Sequence, residues 1–251
     1  QQPGPCQTSP LQPAWAGWLM LPNVLKTAPE AVEWVGCSNT TRLAHRHALS
    51  MPCDTLPPYP LVLVVNAKPY LLDLACARRH WAIDCAHAAG AEVLCGPLHS
   101  AFKVFSGRGP TEVEIGRSAD VLREAAEYAA TAGVLLAPEA LNRFECYLLN
   151  TSAQMRDLCE RVGHPSLKAH YDTHHMHLEE HDAAEAIKQC APVLGHVHLS
   201  ENNRGVPGRG QVDWSGTFAA LKEVGYDGWC VIEAFSRLDE DFAAAIHVWR
   251  D

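Results

Sequence analysis

Val134-Leu-Leu-Ala-Pro-Glu139 is a short apolar run that ends in a carboxylate and follows a helical segment, and this combination is the clearest indication of the fold class. The helical segment opens at Pro110-Thr-Glu-Val-Glu114, which offers a capping box, and it stops at Gly133. Between these points, apolar residues recur at helical spacing, at Val121, Leu122, Ala125, Ala126 and Ala129. A helix that alternates with a short buried strand is the repeating unit of a parallel α/β sheet.

The same alternation of apolar runs and helical patterns continues from about residue 84 onward. We predict strands at Leu61–Val65, Glu92–Cys95, Val134–Ala137, Leu167–Tyr171, Gly195–Leu199 and Gly228–Ile232. Further helices are predicted near Ser152–Val162, His181–Cys190, Asp213–Val224 and Glu240–Trp249. The chain has 251 residues, which suits one barrel of about 250. The prediction is an α/β fold, a TIM-type (β/α)8 barrel, with residues 14–251 as a single domain.

The first 60 residues follow this pattern less well, because proline and cysteine are scattered through them. Only Trp18–Leu21 and Ala31–Val35 look able to form a strand or a buried turn there. Residues 1–13 are predicted to be a disordered tail. The N-terminal part of the barrel is therefore expected to be atypical or incomplete.

Composition excludes several classes of protein. The formal charge is −9, which argues against a protein that binds nucleic acid through clustered lysine and arginine. No apolar run approaches the roughly 18 residues of a membrane helix, and no secretion signal is recognisable. Ten cysteines lie far apart without a CxxC pair, which favours reduced thiols and a cytoplasmic location.

Four predicted strands end in polar side chains that carry chemistry: Glu139, Asp172, His198 and Glu233. They are separated by 33, 26 and 35 residues, about one βα unit each. In a parallel barrel the C-terminal ends of the strands point into one shared mouth. Any one of them alone could be an ordinary cap or salt-bridge partner, but four in successive strand ends favour a divalent cation site. Carboxylates with an imidazole suit Mn²⁺, Mg²⁺ or Co²⁺.

Further polar residues follow these strand ends, and we expect Glu145, His175 and Arg204 to face the same mouth. Carboxylate acceptors with imidazole and guanidinium donors suit a ligand rich in hydroxyl groups, such as a sugar. The glycine-rich segment 205–210 lacks the spacing of a phosphate-binding fingerprint. We interpret it as a turn-rich loop that carries Arg204 over the site.

Three stretches resemble the D-tagatose/D-psicose (allulose) 3-epimerases, which are xylose isomerase-like TIM barrels. The stretches are Ala137–Asn150, Tyr171–Glu180 and Gly195–Arg204, and the resemblance covers roughly residues 84–251. It implies metal ligation by Glu139, Asp172, His198 and Glu233. It further implies that Glu139 and Glu233 are the acid/base pair and that Glu145, His175 and Arg204 contact the ketose.

The resemblance predicts a metal-dependent ketose 3-epimerase that exchanges the proton at C3 through an enediolate. Mn²⁺ is the expected metal, with Mg²⁺ and Co²⁺ as alternatives, and a homodimer or homotetramer is the expected assembly. Three other hypotheses stay open: an aldose–ketose or hydroxypyruvate-type isomerase, a metal-dependent endonuclease, and a non-catalytic sugar-binding barrel. Residues 1–60 offer no counterpart of the aromatic-rich first strands that help this family select its sugar.

Overall fold

The computed structural model describes residues 19–20, 61–64, 77–235 and 241. Its strands are β1 Leu19–Met20, β2 Leu61–Val64, β3 Ala91–Gly96, β4 Leu135–Pro138, β5 Ala169–Asp172, β6 Leu194–Leu199 and β7 Cys230–Ile232. Its helices are α1 Ala77–Ala88, α2 Glu112–Ala132, α3 Ser152–Val162, α4 Thr173–Glu179, α5 Ala183–Cys190 and α6 Trp214–Glu223. A 3-10 turn at Ala191–Val193 joins α5 to β6.

The strands follow one another in space in the order of the sequence. β2, β3 and β4 are parallel neighbours, with β1 antiparallel on the outer side of β2. β5, β6 and β7 form a second parallel group. Isolated bridges pair Leu136 with Leu167 and Glu139 with His170, so the two groups meet between β4 and β5. Sequential parallel strands with helices between them are the arrangement expected of a TIM-type barrel.

Local signals in the sequence account for the bounds of the longer helices. Thr111 caps α2 through a reciprocal capping box with Glu114. The helix ends at Gly133, which adopts the left-handed conformation at φ 68° that glycine reaches without steric cost. α3 has the same design, from a Thr151 capping box to Gly163 at φ 61°. Both predicted helix ends are confirmed.

The core lies where the inner faces of these helices pack on the strands. Leu122 of α2, Leu158 of α3 and Ile187 of α5 are almost fully buried in one apolar cluster with Leu136 of β4. Burial of a side chain of this size contributes about 1.5–3 kcal/mol relative to exposure. This layer fixes the strands, and the strands in turn fix the side chains at their ends.

Several bounds differ from the predicted ones. α5 begins after Asp182 rather than at His181, because the Asp182 carboxylate accepts the backbone N–H of Glu185 at 2.9 Å. β7 begins at Cys230 rather than Gly228, and β5 extends to Asp172. No bounds were predicted for helix α1, although a helical pattern around Cys85 indicates it, and the short helix α4 was not predicted. The tail at 1–13, the segment 31–35 and the helix at 240–249, apart from Asp241, lie outside the described residues.

Within the described ranges, no helix combines the length and apolar character required to cross a bilayer. Cys85, Cys159 and Cys190 sit in helices, and Cys230 sits in a strand. Cys159 and Cys190 are buried, while Cys85 and Cys230 are half-buried, and none of these four forms a disulfide in this part of the chain.

Candidate active site

The four predicted ligands lie at the C-terminal ends of β4 to β7. Asp172 is the last residue of β5 and His198 lies in β6. Glu139 follows β4 and Glu233 follows β7. Their backbones are held by the neighbouring strands, because the N–H of Glu139 donates to Gly96 at 2.9 Å and that of Glu233 donates to Leu199 at 3.0 Å. The sheet therefore aims all four side chains into one volume.

One ligand atom from each of Glu139, Asp172, His198 and Glu233 lies within 4.8 Å of the others. All four residues are buried, with at most 6% of their surface exposed. Among the described residues, Oε1 of Glu139 and Nδ1 of His198 have no hydrogen-bond partner. Buried polar atoms without partners are costly, and three carboxylates at this distance repel one another. A divalent cation would correct both defects, so the donor set fits one.

The pKa of Glu139 shows the same excess of negative charge. Burial raises the pKa of this carboxyl well above its usual range, and the nearby carboxylates of Asp172 and Glu233 raise it further. A bound cation would act in the opposite direction, because it favours the charged form of its ligands. The raised pKa is thus a property expected of an acidic metal site.

Arg204 supplies positive charge to this cluster. Its Nη1 donates to Asp172 at 2.8 Å and to Glu233 at 2.5 Å. Burial alone would raise the pKa of Asp172, but Arg204, with His175 and His198, outweighs it and holds this pKa well below its usual range. Arg204 has φ 60°, which is uncommon for a residue with a side chain. The loop holds Arg204 in this uncommon conformation while its guanidinium contacts the two carboxylates.

His175 is brought into the same cluster by α4. Its Nε2 lies 2.8 Å from Nη2 of Arg204 and 3.5 Å from Oε1 of Glu139. The backbone N–H of Asn142 donates to its Nδ1 at 3.0 Å. Burial is the main cause that lowers the pKa of His175, to about 3. The ring is therefore neutral at physiological pH, and a neutral imidazole can form a hydrogen bond with a hydroxyl group.

Glu145 is the one predicted site residue that makes no contact with the cluster. Its side chain lies in the loop after β4 and is 28% exposed, with Oε1 4.0 Å from Nζ of Lys103. The backbone N–H of Lys103 donates to the Glu145 carbonyl at 2.9 Å, so the loops after β3 and β4 are joined here. Its proposed role in binding a sugar stays a prediction.

Sequence reasoning gave no role to Glu201, which shapes the loop behind Arg204. One carboxylate oxygen of Glu201 accepts the backbone N–H of Gly208 and the indole N–H of Trp214, both at 2.7 Å. The other oxygen accepts from Val212 at 3.3 Å. The glycine-rich segment is therefore folded around a buried carboxylate, in agreement with its interpretation as a turn-rich loop. The run Ser200-Glu201-Asn202 gave no periodic signal that would have revealed this.

Three buried groups inside the barrel were also missed: Cys95, His170 and His196. The ring centroids of His170 and His198 are 4.0 Å apart. The ring of His196 lies 4.9 Å from that of His170 and 5.0 Å from that of His198. A signal did exist. His196 and His198 are two residues apart in a strand, as are His170 and Asp172, and this spacing places side chains on the same face.

These features define the class of protein as an α/β barrel with a candidate metal site. The barrel is built from parallel βα units, and the C-terminal ends of its strands carry buried carboxylates and an imidazole. The family model of the xylose isomerase-like TIM barrel matches residues 53–251. The chain belongs to this family, and the predicted fold class is confirmed. The matched region begins at residue 53, upstream of residue 84, from which the resemblance can be recognised in the sequence.

Curated relatives in this family are sugar epimerases. The chain is 38% identical over 186 residues to a D-psicose 3-epimerase of Ruminiclostridium cellulolyticum, covering 74% of the chain and 61% of the relative. It is 34% identical over 190 residues to a ketose 3-epimerase of Arthrobacter globiformis, covering 75% and 63%. A solved structure of an L-ribulose 3-epimerase superposes with a TM-score of 0.67 at 31% identity, covering 84% of this chain and 72% of that one. The chain thus spans about three-fifths of the length of these curated relatives.

Proposed function

We propose that this chain is a metal-dependent ketose 3-epimerase of the D-tagatose/D-psicose type. The observation that carries the proposal is the buried cluster of Glu139, Asp172, His198 and Glu233, whose ligand atoms lie within 4.8 Å of one another. His175 and Arg204 contact the same cluster and offer polar groups for a sugar. Relatives named D-psicose 3-epimerase and ketose 3-epimerase support the reaction class.

The four clustered residues would hold one divalent ion, for which we propose Mn²⁺, with Mg²⁺ or Co²⁺ as alternatives. Three carboxylates make a hard donor set, and one imidazole makes it acceptable to borderline ions. When bound, such an ion polarises the ketose carbonyl and stabilises the negative charge that develops on its oxygen.

In the proposed mechanism the two glutamates exchange the C3 proton. C3 lies next to the C2 carbonyl, so removal of its proton leaves an enediolate. Glu139 follows β4 and Glu233 follows β7, and these strands belong to different sheets. We propose that one carboxylate removes the proton from one face of the sugar and the other returns a proton to the opposite face. Epimerisation at C3 is the result.

The remaining polar groups would orient the ketose. Arg204 and His175 are proposed to hold the oxygens on C1 and C2, which keeps C3 between the glutamates. Glu145 is proposed to contact the sugar from the loop after β4. These contacts would keep the reacting carbon in one position, which matters because misplacement of a reacting atom slows proton transfer steeply.

Removal of either acid/base group tests this proposal. We expect Glu139→Gln and Glu233→Gln to lower ketose interconversion by about 10²–10⁴-fold, the usual contribution of general acid–base catalysis. The measurement is turnover of D-psicose and D-tagatose with Mn²⁺, with circular dichroism to verify folding. Glu127→Gln, on the exposed face of α2, is the matched control and should retain wild-type turnover. Full activity in both glutamate variants would refute the proposed roles.

The alternatives predict other products. An aldose–ketose or hydroxypyruvate-type isomerase would use the same cluster but move a proton between C1 and C2. A non-catalytic barrel would bind Mn²⁺ and a ketose in calorimetry without turnover, and an endonuclease would cleave DNA. A homodimer or homotetramer is proposed as the assembly, and light scattering on the full chain would measure it.

A further inference from the structure

A second group of metal-ligating atoms lies inside the barrel beside the carboxylate cluster. It consists of Cys95 in β3 with His196 and His198 in β6, and we call it the thiol–imidazole cluster. One ligand atom from each of the three lies within 4.8 Å of the others. All three residues have no exposed surface. Their arrangement is therefore set by the strands and does not depend on a loop.

His196 makes this cluster more than a chance contact. Neither of its ring nitrogens has a hydrogen-bond partner among the described residues. The ring has no exposed surface, so bulk water does not satisfy these nitrogens either. A fully buried imidazole without hydrogen-bond partners has lost its hydrogen bonds to water and has gained none from the protein, which costs free energy. A bound cation would restore a partner to it.

His198 presents one nitrogen to each cluster. Its Nδ1 lies 3.5 Å from the Glu233 carboxylate, on the side of the carboxylate cluster. Its Nε2 lies 3.8 Å from Sγ of Cys95, on the other side. The two clusters thus share one ring but use different atoms and different donor chemistry.

We propose that the thiol–imidazole cluster is a second cation site, selective for a borderline or soft ion such as Zn²⁺ or Co²⁺. One thiolate and two imidazoles are the donors that these ions prefer, whereas Mn²⁺ and Mg²⁺ prefer the oxygen-rich carboxylate cluster. On binding, the ion forms a bond with Sγ and the thiol proton leaves to water. Three protein ligands leave a fourth tetrahedral position for a water molecule.

A cation binds the thiolate of Cys95 and not the thiol, so binding releases one proton. The affinity of the site should therefore rise with pH.

The shared ring couples the two sites. A neutral imidazole has one lone pair, so it can bind an ion through Nδ1 or through Nε2 but not through both. An ion in the thiol–imidazole cluster should therefore withdraw His198 from the carboxylate cluster. Loading with Zn²⁺ is expected to weaken Mn²⁺ binding, and Mn²⁺ should weaken Zn²⁺ binding by the same factor.

Absorption spectroscopy with Co²⁺ tests the proposal on the full chain. We expect titration of the wild-type protein with Co²⁺ to produce a near-ultraviolet thiolate-to-Co²⁺ charge-transfer band. The band should be absent in Cys95→Ser and present in Cys159→Ser, in which a buried thiol of α3 outside the cluster is changed. His196→Gln is a second variant that should lose the band, so a folding defect in one variant does not leave the question open.

The outcomes separate this inference from the proposed epimerase activity. In Glu233→Gln, which removes an oxygen donor from the carboxylate cluster, the thiolate band should persist even though turnover is lost. Glu233→Gln protein that shows no thiolate band at saturating Co²⁺, or a wild-type band that is unchanged in Cys95→Ser, would overturn the second site. Either result would leave the epimerase proposal intact.

Discussion

Arg204 shows at the scale of a single residue how this site depends on balanced charge. The guanidinium bonds to Asp172 and Glu233, whose side chains are nearly inaccessible to water. Removal of one partner of a buried ion pair usually costs about 3–5 kcal/mol, because the other charge stays buried. Arg204 is thus expected to stabilise the fold as well as to orient a sugar.

We predict that Arg204→Ala destabilises the protein strongly when chelator is present and much less when Mn²⁺ is present, because the ion would replace the lost positive charge. Urea denaturation measures the free energy of unfolding in both conditions. Arg209→Ala is the matched control, since Arg209 is 63% exposed and pairs with Asp241 at 3.3 Å. An exposed pair contributes about 0–1 kcal/mol. Equal effects of Arg204→Ala with and without Mn²⁺ would contradict this account.

Cys146, next to Glu145, is a second residue with an unusual environment. Burial opposes ionisation of its thiol, but His99 at 3.5 Å and Ser100 at 3.0 Å outweigh this and lower its pKa to about 6. The backbone N–H of Leu148 also donates to Sγ at 3.2 Å. These contacts tie the loop that carries Glu145 to the loop after β3.

The lowered pKa of Cys146 predicts a pH dependence of stability. In the unfolded chain the thiol keeps its proton up to the ordinary cysteine pKa of 9.0, whereas in the folded protein it loses the proton near pH 6. The unfolded state therefore binds more protons between these values, and stability rises with pH by at most about 1.4 kcal/mol per unit. This contribution is lost as the pH falls through 6. Chemical denaturation of wild type and Cys146→Ser should diverge across this window, and parallel curves would argue against a thiolate.

At the scale of the element, the predictable parts are those with local causes. The ends of α2 and α3 follow from threonine caps and glycine stops, which act within a few residues. The bounds of helix α1 escaped prediction because, among its residues 80–88, only Ile83 and Ala86 are fully buried, which is too few to mark an apolar stripe. Helix α4 was not predicted because it begins directly after the last residue of β5. There Asp172 caps the helix by accepting the N–H of His174 at 2.6 Å, although its position in the sequence indicates a metal ligand.

The loop after β6 also depends on one residue for its shape. Glu201 accepts N–H groups from Gly208, Val212 and Trp214 with a carboxylate that is fully buried. The carbonyl of the same residue accepts the N–H of Arg204 at 2.9 Å. This loop therefore sets where the guanidinium of Arg204 lies.

We predict that Glu201→Gln loosens this loop, because an amide has one oxygen acceptor where the carboxylate has two. Each unsatisfied buried donor costs about 1–3 kcal/mol. The KM for the ketose should rise and stability should fall, while Mn²⁺ affinity changes little because no metal ligand is altered. Steady-state kinetics and calorimetry measure the two effects. Glu185→Gln, on the exposed side of α5, is the control, and a loss of Mn²⁺ affinity in Glu201→Gln would count against this role.

At the scale of the whole molecule, the sequence predicts the strand ends but not the interior between them. Glu139 and Asp172 could be placed because each ends an apolar run and the barrel brings such ends together. The spacing of His196 and His198 shows that both rings share one face of β6, but it does not show that Cys95 meets them, because β3 and β6 are not neighbouring strands. Contacts between distant strands leave no periodic trace in the chain. Membership of the family accounts for the resemblance of the carboxylate cluster to known sites. The buried histidines lie inside the barrel, where the sequence gives less guidance.

If this barrel moves the proton on C3 of a ketose, that proton should exchange with solvent during turnover. The chain is incubated with D-psicose and Mn²⁺ in D₂O, and the sugars are analysed by NMR. We expect deuterium at C3 of both epimers in the wild-type protein and none in Glu139→Gln or Glu233→Gln. Deuterium at C1 or C2 would show an aldose–ketose isomerase, and binding of sugar and Mn²⁺ without exchange at any carbon would contradict an enzymatic role.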